Sequence, residues 1–333
     1  MIKVKVLCKG IPRDQNISQY SGNNDNLVNG VKFVFDPDDD SQFDFIFIID
    51  NLDDKNLIHK VKEGGLFFFT AEHIYDEDFY IKNDNVKNFI NQFSRIFSSY
   101  LTNHTNHNYE IPFLPWMINH NHGTYSPSHK RDIDYFKKLD FAKKTKFLSV
   151  ICSTKVFSPQ QRVRLEFVSK LKSILGEDLD WFGNGVNPID DKWSAISKYK
   201  YHLVLENRIG NNVVSEKLFD SYLGLSFPLY SGAPNIYDFF STNSLVQIDT
   251  NNIEGTLLIL DKLKKEGVYE KSHEELINSK DRVLADFNMW FRLANIAKTY
   301  FDTLGNVRQH KLVPLKSRSA LQIFIDMSKN LIN

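Results

Sequence analysis

The sequence has only two cysteines in 333 residues, Cys8 and Cys152. Two thiols so far apart build no disulfide framework and no metal knuckle. Both flank strand-like apolar runs and are expected as small buried side chains. A charge excess is also missing, since 41 Lys+Arg face 41 Asp+Glu for a net charge of +0. A chain made to coat a nucleic-acid backbone needs a basic surface or stripe, so nucleic acid is not an expected partner. No apolar run approaches the ~18 residues of a membrane-crossing helix. At the start, Lys3 and Lys5 alternate with Ile2, Val4 and Val6, and no continuous apolar stretch follows. That alternation reads as a strand and not as a secretion signal. The expectation is a soluble, cytoplasmic chain. Neither the G-x-x-x-x-G-K-[ST] phosphate loop nor the G-x-G-x-x-G fingerprint occurs.

What is present is an ordinary globular composition, 42% hydrophobic and 25% charged. The length fits roughly two domains. With 27 Phe and 14 Tyr, the aromatic load is ample for two cores. In the first half, 43–50 and 66–70 are apolar runs, the second preceded by Gly64-Gly65. Continuous runs of this kind suit parallel strands covered on both faces. Residues 103–133 are rich in His, Asn, Pro and Ser and read as loop. A new unit starts near Lys146 with a strand over 147–152. A helix over 160–175 follows, with Val163, Phe167, Leu171 and Ile174 at helical spacing. A strand over 200–206 leads to a helix capped by Ser215 and ended by Gly224, then to a strand over 227–230. The β-α-β-α-β alternation predicts parallel sheets in two α/β units joined near 145. Ligands of such units sit beyond the carboxyl ends of the strands, in the cleft.

Three weak signals have bland explanations. Gly183-Asn184-Gly185 reads as a loop, and Asp38-Asp39-Asp40 as a solvated acidic turn and not a metal-binding D-x-D. His104, His107, His120, His122 and His129 lack carboxylate or thiol partners at ligand spacing and read as a solvated loop.

The informative stretch is Leu205-Glu206-Asn207, a glycine-containing loop, then Ser215-Glu216-Lys217 opening a helix. A helix start offers unpaired N–H groups and positive partial charge, which suit a phosphate. Lys217 adds a full charge, and Glu206 and Glu216 would accept bonds from vicinal sugar hydroxyls. These are parts of a nucleotide-sugar site. The same residues also serve a plain helix cap, and physics alone leaves both open.

The full string resembles the α-1,3/4-fucosyltransferases, glycosyltransferase family 10. Their hallmark is F-E-N after a strand, [ST]-E-K opening a helix, then Y-x-G-[AS]-P. Here the last piece is Tyr230-Ser231-Gly232-Ala233-Pro234. Leu205 stands for Phe, Ser215 for Thr, and Asn212-Val213 for the usual Gly-Tyr. The close match covers 147–240. Upstream, the family's pyrophosphate-binding Arg corresponds to Arg164, with Arg162 as second choice. In the first half, Phe68-Phe69-Thr70-Ala71-Glu72-His73 resembles F-x-T-G-E-N, whose Glu is the family's general base.

The resemblance implies a GT-B fold, an α/β architecture of two Rossmann-like domains facing across a cleft. Residues 1–145 would bind the acceptor glycan and 146–305 the nucleotide sugar GDP-fucose. A helical tail over 306–333, amphipathic across 312–332, would pack back on the first domain or touch a membrane peripherally. Glu72 would be the base. Arg164, Glu206, Asn207, Ser215, Glu216 and Lys217 would bind the donor, with Arg162, Tyr230 and Gly232 in second place. No metal cofactor is obligatory on this reading, a divalent ion being at most stimulatory. The alternatives are a transferase of another deoxy or amino-deoxy sugar and a catalytically silent nucleotide-sugar binder.

Overall fold

The computed structural model describes residues 1–8, 17–21, 25–50, 52, 57–70, 84–100, 102, 104–118, 131–156 and 158–315. Glu72, His120, His122, His129 and the tail from 316 lie outside the described residues.

The first half holds β1 (Ile2–Cys8), β2 (Leu27–Val28), β3 (Val31–Val34), β4 (Gln42–Phe43), β5 (Phe45–Ile49), β6 (Leu57–Lys62), β7 (Leu66–Phe69), β8 (Arg95–Ser98) and β9 (His107–Tyr109). One seven-stranded sheet runs in the order β2-β3-β1-β5-β7-β8-β9. It is parallel apart from the β2–β3 hairpin. β5 and β7 are buried along their whole length, as their unbroken apolar runs require of strands covered on both faces. The stretch read as loop over 103–133 contains an edge strand, β9. His107-Asn108-Tyr109 carries no apolar pattern, and the strand exists through its backbone pairing with β8.

The alternation of lysines in β1 is not a solvent face. Lys5 is fully buried. Its Nζ donates to the carbonyls of Pro37 (2.8 Å) and Asp39 (2.7 Å). The 36–40 turn folds over β1 and solvates the ammonium with backbone oxygens, while Asp36, Asp38 and Asp40 stay exposed. The Asp39 carboxylate accepts from the Ser41 amide at 2.9 Å. The acidic turn is thus a lysine cap.

The second half holds β10 (Lys146–Ile151), β11 (Leu179–Phe182), β12 (Tyr199–Leu205), β13 (Phe227–Ser231) and β14 (Val246–Gln247). Their order is β11-β10-β12-β13-β14, all parallel. The winding reverses at β10, with β11 on one side and β12 on the other. The crevice beyond the carboxyl ends of β10 and β12 is where an open parallel sheet takes a ligand.

The helix Pro159–Leu175 lies beside that crevice. Ser158 caps it by accepting from the Gln161 amide at 3.2 Å, and Pro159 opens it where its missing N–H costs nothing. The expected inner face included Ile174, yet Ile174 is 55% exposed. The buried stripe is Arg164, Phe167, Val168 and Leu171, spaced i, i+3, i+4, i+7. The face is therefore turned, and an arginine occupies a core position.

In the middle of this sheet, His202 of β12 is buried opposite Ser149 of β10, with Nδ1 and Oγ 2.8 Å apart. Burial, with Lys192 and Lys144 adding to it, lowers its pKa from 6.5 to about 3. A histidine held neutral when folded takes up a proton on unfolding, so stability falls as pH drops from 6.5 toward about 3. His59, lowered to about 4 by burial and Lys5, contributes with the same sign. In melts from about pH 7 to about pH 4, His202→Gln is expected to show a shallower loss of Tm than the parent chain. An unchanged slope would remove His202 from the account.

The chain returns to the first sheet before its end. The helix Met289–Tyr300 packs on that sheet. Its Trp290 ring lies 5.5 Å from Phe33 and 5.4 Å from Phe35, and Tyr300 lies 5.5 Å from Phe67. Arg292 donates to Glu110 (2.9 Å) and to the carbonyls of Pro112 (2.9 Å) and Ile111 (3.0 Å). Fully burying a large apolar side chain stabilises by about 1.5–3 kcal/mol, so the buried Trp290 is a main anchor of this helix. β15 (Val307–Leu312) then pairs antiparallel with β6, and β4 completes a three-stranded sheet. Leu312, expected to begin an amphipathic helix, ends this strand. The rest of that expected helix, from 316, lies outside the described residues. No helix among the described residues is long and apolar enough to cross a membrane.

Candidate functional site

Glu206 and Asn207 follow β12 directly, at the reversal point of the second sheet. Arg164 reaches across to them from its helix. Its Nη1 donates to Asn207 Oδ1 at 2.5 Å and to the Leu205 carbonyl at 3.3 Å. Arg164 is 7% exposed, and its Nε has no partner. Among the described residues no carboxylate pairs with it. A buried guanidinium left without an acid is held at a cost in desolvation. It suits an anion arriving from solution. Arg162, the second choice, is exposed on the outer face.

Ser215 caps the helix Glu216–Leu223 with extended backbone. Its amide and hydroxyl both donate to Glu206, at 2.8 and 2.6 Å. Lys217 Nζ donates to Ser215 Oγ (2.9 Å) and lies 3.4 Å from Glu206 Oε2. Both Glu206 oxygens are thus engaged, and Glu206 is 4% exposed. It is the anchor of the Ser215–Lys217 corner. Burial alone would lower the Lys217 pKa, but Glu216 and Glu206 outweigh it and raise it. The ammonium is charged at neutral pH.

Glu216 sits between two lysines, with Lys217 at 3.6 Å and Lys192 at 3.3 Å. Burial would raise its carboxyl, but these ammonium groups hold it at about 2. Lys192 and Asp220 were not singled out in the sequence. Lys192 also donates to Asp220 at 2.6 Å, and Asp220 is fully buried. An acid between Phe219 and Tyr222 on a buried helical stripe was the available signal.

Tyr230 and Gly232 brace the site from beneath. The Tyr230 hydroxyl donates to the Val213 carbonyl (3.0 Å) and accepts from the Ala233 amide (2.9 Å). A Cβ on Gly232 would lie 2.3 Å from that hydroxyl and 2.6 Å from Glu206 Cγ. Glycine is required there by space. Asn212, at the position where the resembled family carries Gly, has a left-handed φ of 61°. Asn is among the few other residues that adopt it readily. Asn235 secures it, accepting from the Asn212 amide and donating to its Oδ1, both at 2.9 Å. The left-handed turn is therefore held without glycine at 212.

The Gly183–Gly185 turn packs on the same end of the sheet. Cβ atoms at Gly183 and Gly185 would meet Cys152 O at 2.6 Å and Thr154 Oγ1 at 2.0 Å. Across the cleft, Tyr109 at the carboxyl end of β9 donates to the Asn211 carbonyl at 3.0 Å. The carboxyl edge of the first sheet therefore faces the loop after β12. Glu72, the expected base, lies outside the described residues. No group of three or more potential metal ligands occurs among the described residues. His104 and His107 instead contact Phe93 O (3.0 Å) and Ser98 Oγ (2.8 Å).

No family model matches the chain. It is 30% identical over 95 residues to an α-(1,3)-fucosyltransferase of Helicobacter pylori. The match covers 27% of this chain and 20% of that relative, so the chain is aligned to about a fifth of the relative's length. A crystal structure of an α1,3-fucosyltransferase superposes with TM-score 0.51 and 19% identity, covering 82% of this chain and 80% of that one. Another, solved with GDP-fucose, gives 0.48 and 18% over 83% and 82%. Two parallel α/β units with facing carboxyl edges, linked by a returning helix, make this a GT-B fold.

Proposed function

We propose that this chain is an inverting glycosyltransferase that moves L-fucose from GDP-β-L-fucose to a glycan hydroxyl. The specific reading is α-1,3 transfer to GlcNAc in a LacNAc-like or O-antigen-type oligosaccharide. The observation that carries it is Arg164, a buried guanidinium without an acid at the reversal point of the second sheet, close to the Ser215–Lys217 helix start. The ordered motif pieces and the partial identity to the Helicobacter pylori relative support the choice of donor.

In this reading Glu72 takes the proton of the acceptor hydroxyl as its oxygen bonds to the anomeric carbon. The bond from that carbon to the β-phosphate oxygen breaks, and GDP leaves with the electron pair. Arg164, Lys217 and the helix start hold the growing charge. They take the part a metal plays in other transferases, so no metal is obligatory. Glu216 receives the ribose hydroxyls, while Glu206 and Ser215 aim the Lys217 ammonium. The proposed setting is the cytoplasm, with the tail packing back on the first unit or, as the alternative, touching a membrane peripherally.

The test is mass spectrometry of reactions with a panel of nucleotide sugars and glycan acceptors. GDP-fucose turnover is expected. Turnover of another donor alone would shift the reading to another deoxy sugar, which the Asn212-Val213 departure favours. Nucleotide binding without any transfer would make the chain a silent binder. Absence of nucleotide binding would sink the site.

A further inference from the structure

Asp220 binds two parts of the molecule at once. Its Oδ1 accepts the backbone amides of Met117 (2.7 Å) and Ile118 (2.9 Å), which belong to the segment leaving the first unit. Its Oδ2 accepts from Lys192 Nζ at 2.6 Å. The same ammonium reaches Glu216 Oε1 at 3.3 Å. Lys192 comes from the loop before the short helix Trp193–Ile196, so three separate segments meet at one charge. The side chain of Lys192 is only 12% exposed and that of Asp220 1%. Bonds to ions at such depth are stronger than surface pairs and costly to leave half-made.

We propose that Lys192 and Asp220 are positioning residues that set the Glu216 carboxylate and couple the donor helix to the 117–118 segment of the first unit. The part concerning Glu216 rests on the donor reading above. Neither residue needs to touch substrate. Lys192 fixes Glu216 from the side opposite Lys217, and Asp220 fixes Lys192. The amides of Met117 and Ile118 give Asp220 a fixed seat, so a shift of that segment is felt at Glu216 through two ionic contacts. A purely structural pair would lower stability without changing what the folded protein binds.

The test uses Lys192→Met, Lys192→Arg and the near-isosteric Asp220→Asn in the full chain. GDP titration by calorimetry is combined with amide hydrogen exchange at Met117 and Ile118. Lys192→Met is expected to weaken GDP binding about tenfold, the scale of one lost charge-assisted hydrogen bond. Lys192→Arg is expected to recover most of it. Both Lys192→Met and Asp220→Asn are expected to speed exchange at the two amides, although Lys192 touches neither. If Lys192→Met fails to fold, Asp220→Asn carries both readouts. A folded variant with parental GDP affinity and parental protection at both amides would overturn the proposal. If the parent chain binds no GDP, the donor reading fails separately, and the exchange result still decides whether Lys192 controls the 117–118 contact.

Discussion

Arg164→Met is expected to weaken GDP binding by on the order of 10²-fold while leaving Tm unchanged or higher. The two directions follow from one geometry. The guanidinium is buried, its Nε has no partner, and no acid among the described residues repays its desolvation. It makes a bond to Asn207 and a longer one to the Leu205 carbonyl, and lies beside the Cys152 thiol. A methionine of similar reach would fill the stripe beside Phe167 and Val168 without stranding a charge. Asn207 is exposed, so water can take over its Oδ1, and the loss of that partner offsets little of the gain. The binding loss has no such offset, because a diphosphate loses a forked donor in a dry setting. Arg164→Lys keeps the charge without the fork and is expected between the two. Calorimetric titration with GDP and a thermal melt on the same samples decide it. A large fall in Tm with unchanged affinity would make Arg164 a structural residue.

Glu72→Gln is expected to lower transfer by about 10²–10⁴-fold while GDP affinity stays at the parental value. The placement argument comes from its neighbours. β7 ends at Phe69, and the Thr70 carbonyl accepts the Phe113 amide at 2.8 Å. Residue 113 lies on the segment that follows Tyr109, whose hydroxyl touches the loop after β12. Thr70, the last described residue before Glu72, is therefore tied to the edge that faces the loop after β12. A glutamine keeps size and polarity but accepts no proton, so the loss falls on the chemical step. Single-turnover rates and GDP titration together test it. Equal loss in both would refute a base role, and full activity would move the base elsewhere.

The parallel strands were legible because burial on both faces demands unbroken apolar runs, as in Phe45–Ile49 and Leu66–Phe69. The Ser215–Lys217 corner was legible for another reason. Ser215, Glu216 and Lys217 are adjacent in sequence, and a helix start places such neighbours predictably. Lys192 was not legible and Asp220 showed only as an acid on a buried stripe, since their partners lie 24 residues away at Glu216 and 103 away at Met117. Pairing across such separations leaves no periodicity. Glu206 was singled out, but its bonds to Ser215 and Lys217 were not, because residue type does not say which donors an acceptor meets. The alternation at Lys3 and Lys5 marked a strand, but not that the 36–40 turn would bury Lys5. The edge strand β9 had no side-chain pattern to detect.

The helix Met289–Tyr300 gives the order of synthesis a physical meaning. Phe33, Phe35 and Phe67 are made early, yet the Trp290 and Tyr300 rings that cover them arrive near the end of the chain. While the ribosome is still in the second half, the leading sheet waits with an open aromatic face. The second unit's rings meet their cover sooner, Tyr201 at Tyr269 and Phe240 at Phe287, both made before the helix that begins at Met289. The half translated later is thus positioned to close first, and it delivers the lid under which the earlier half finishes.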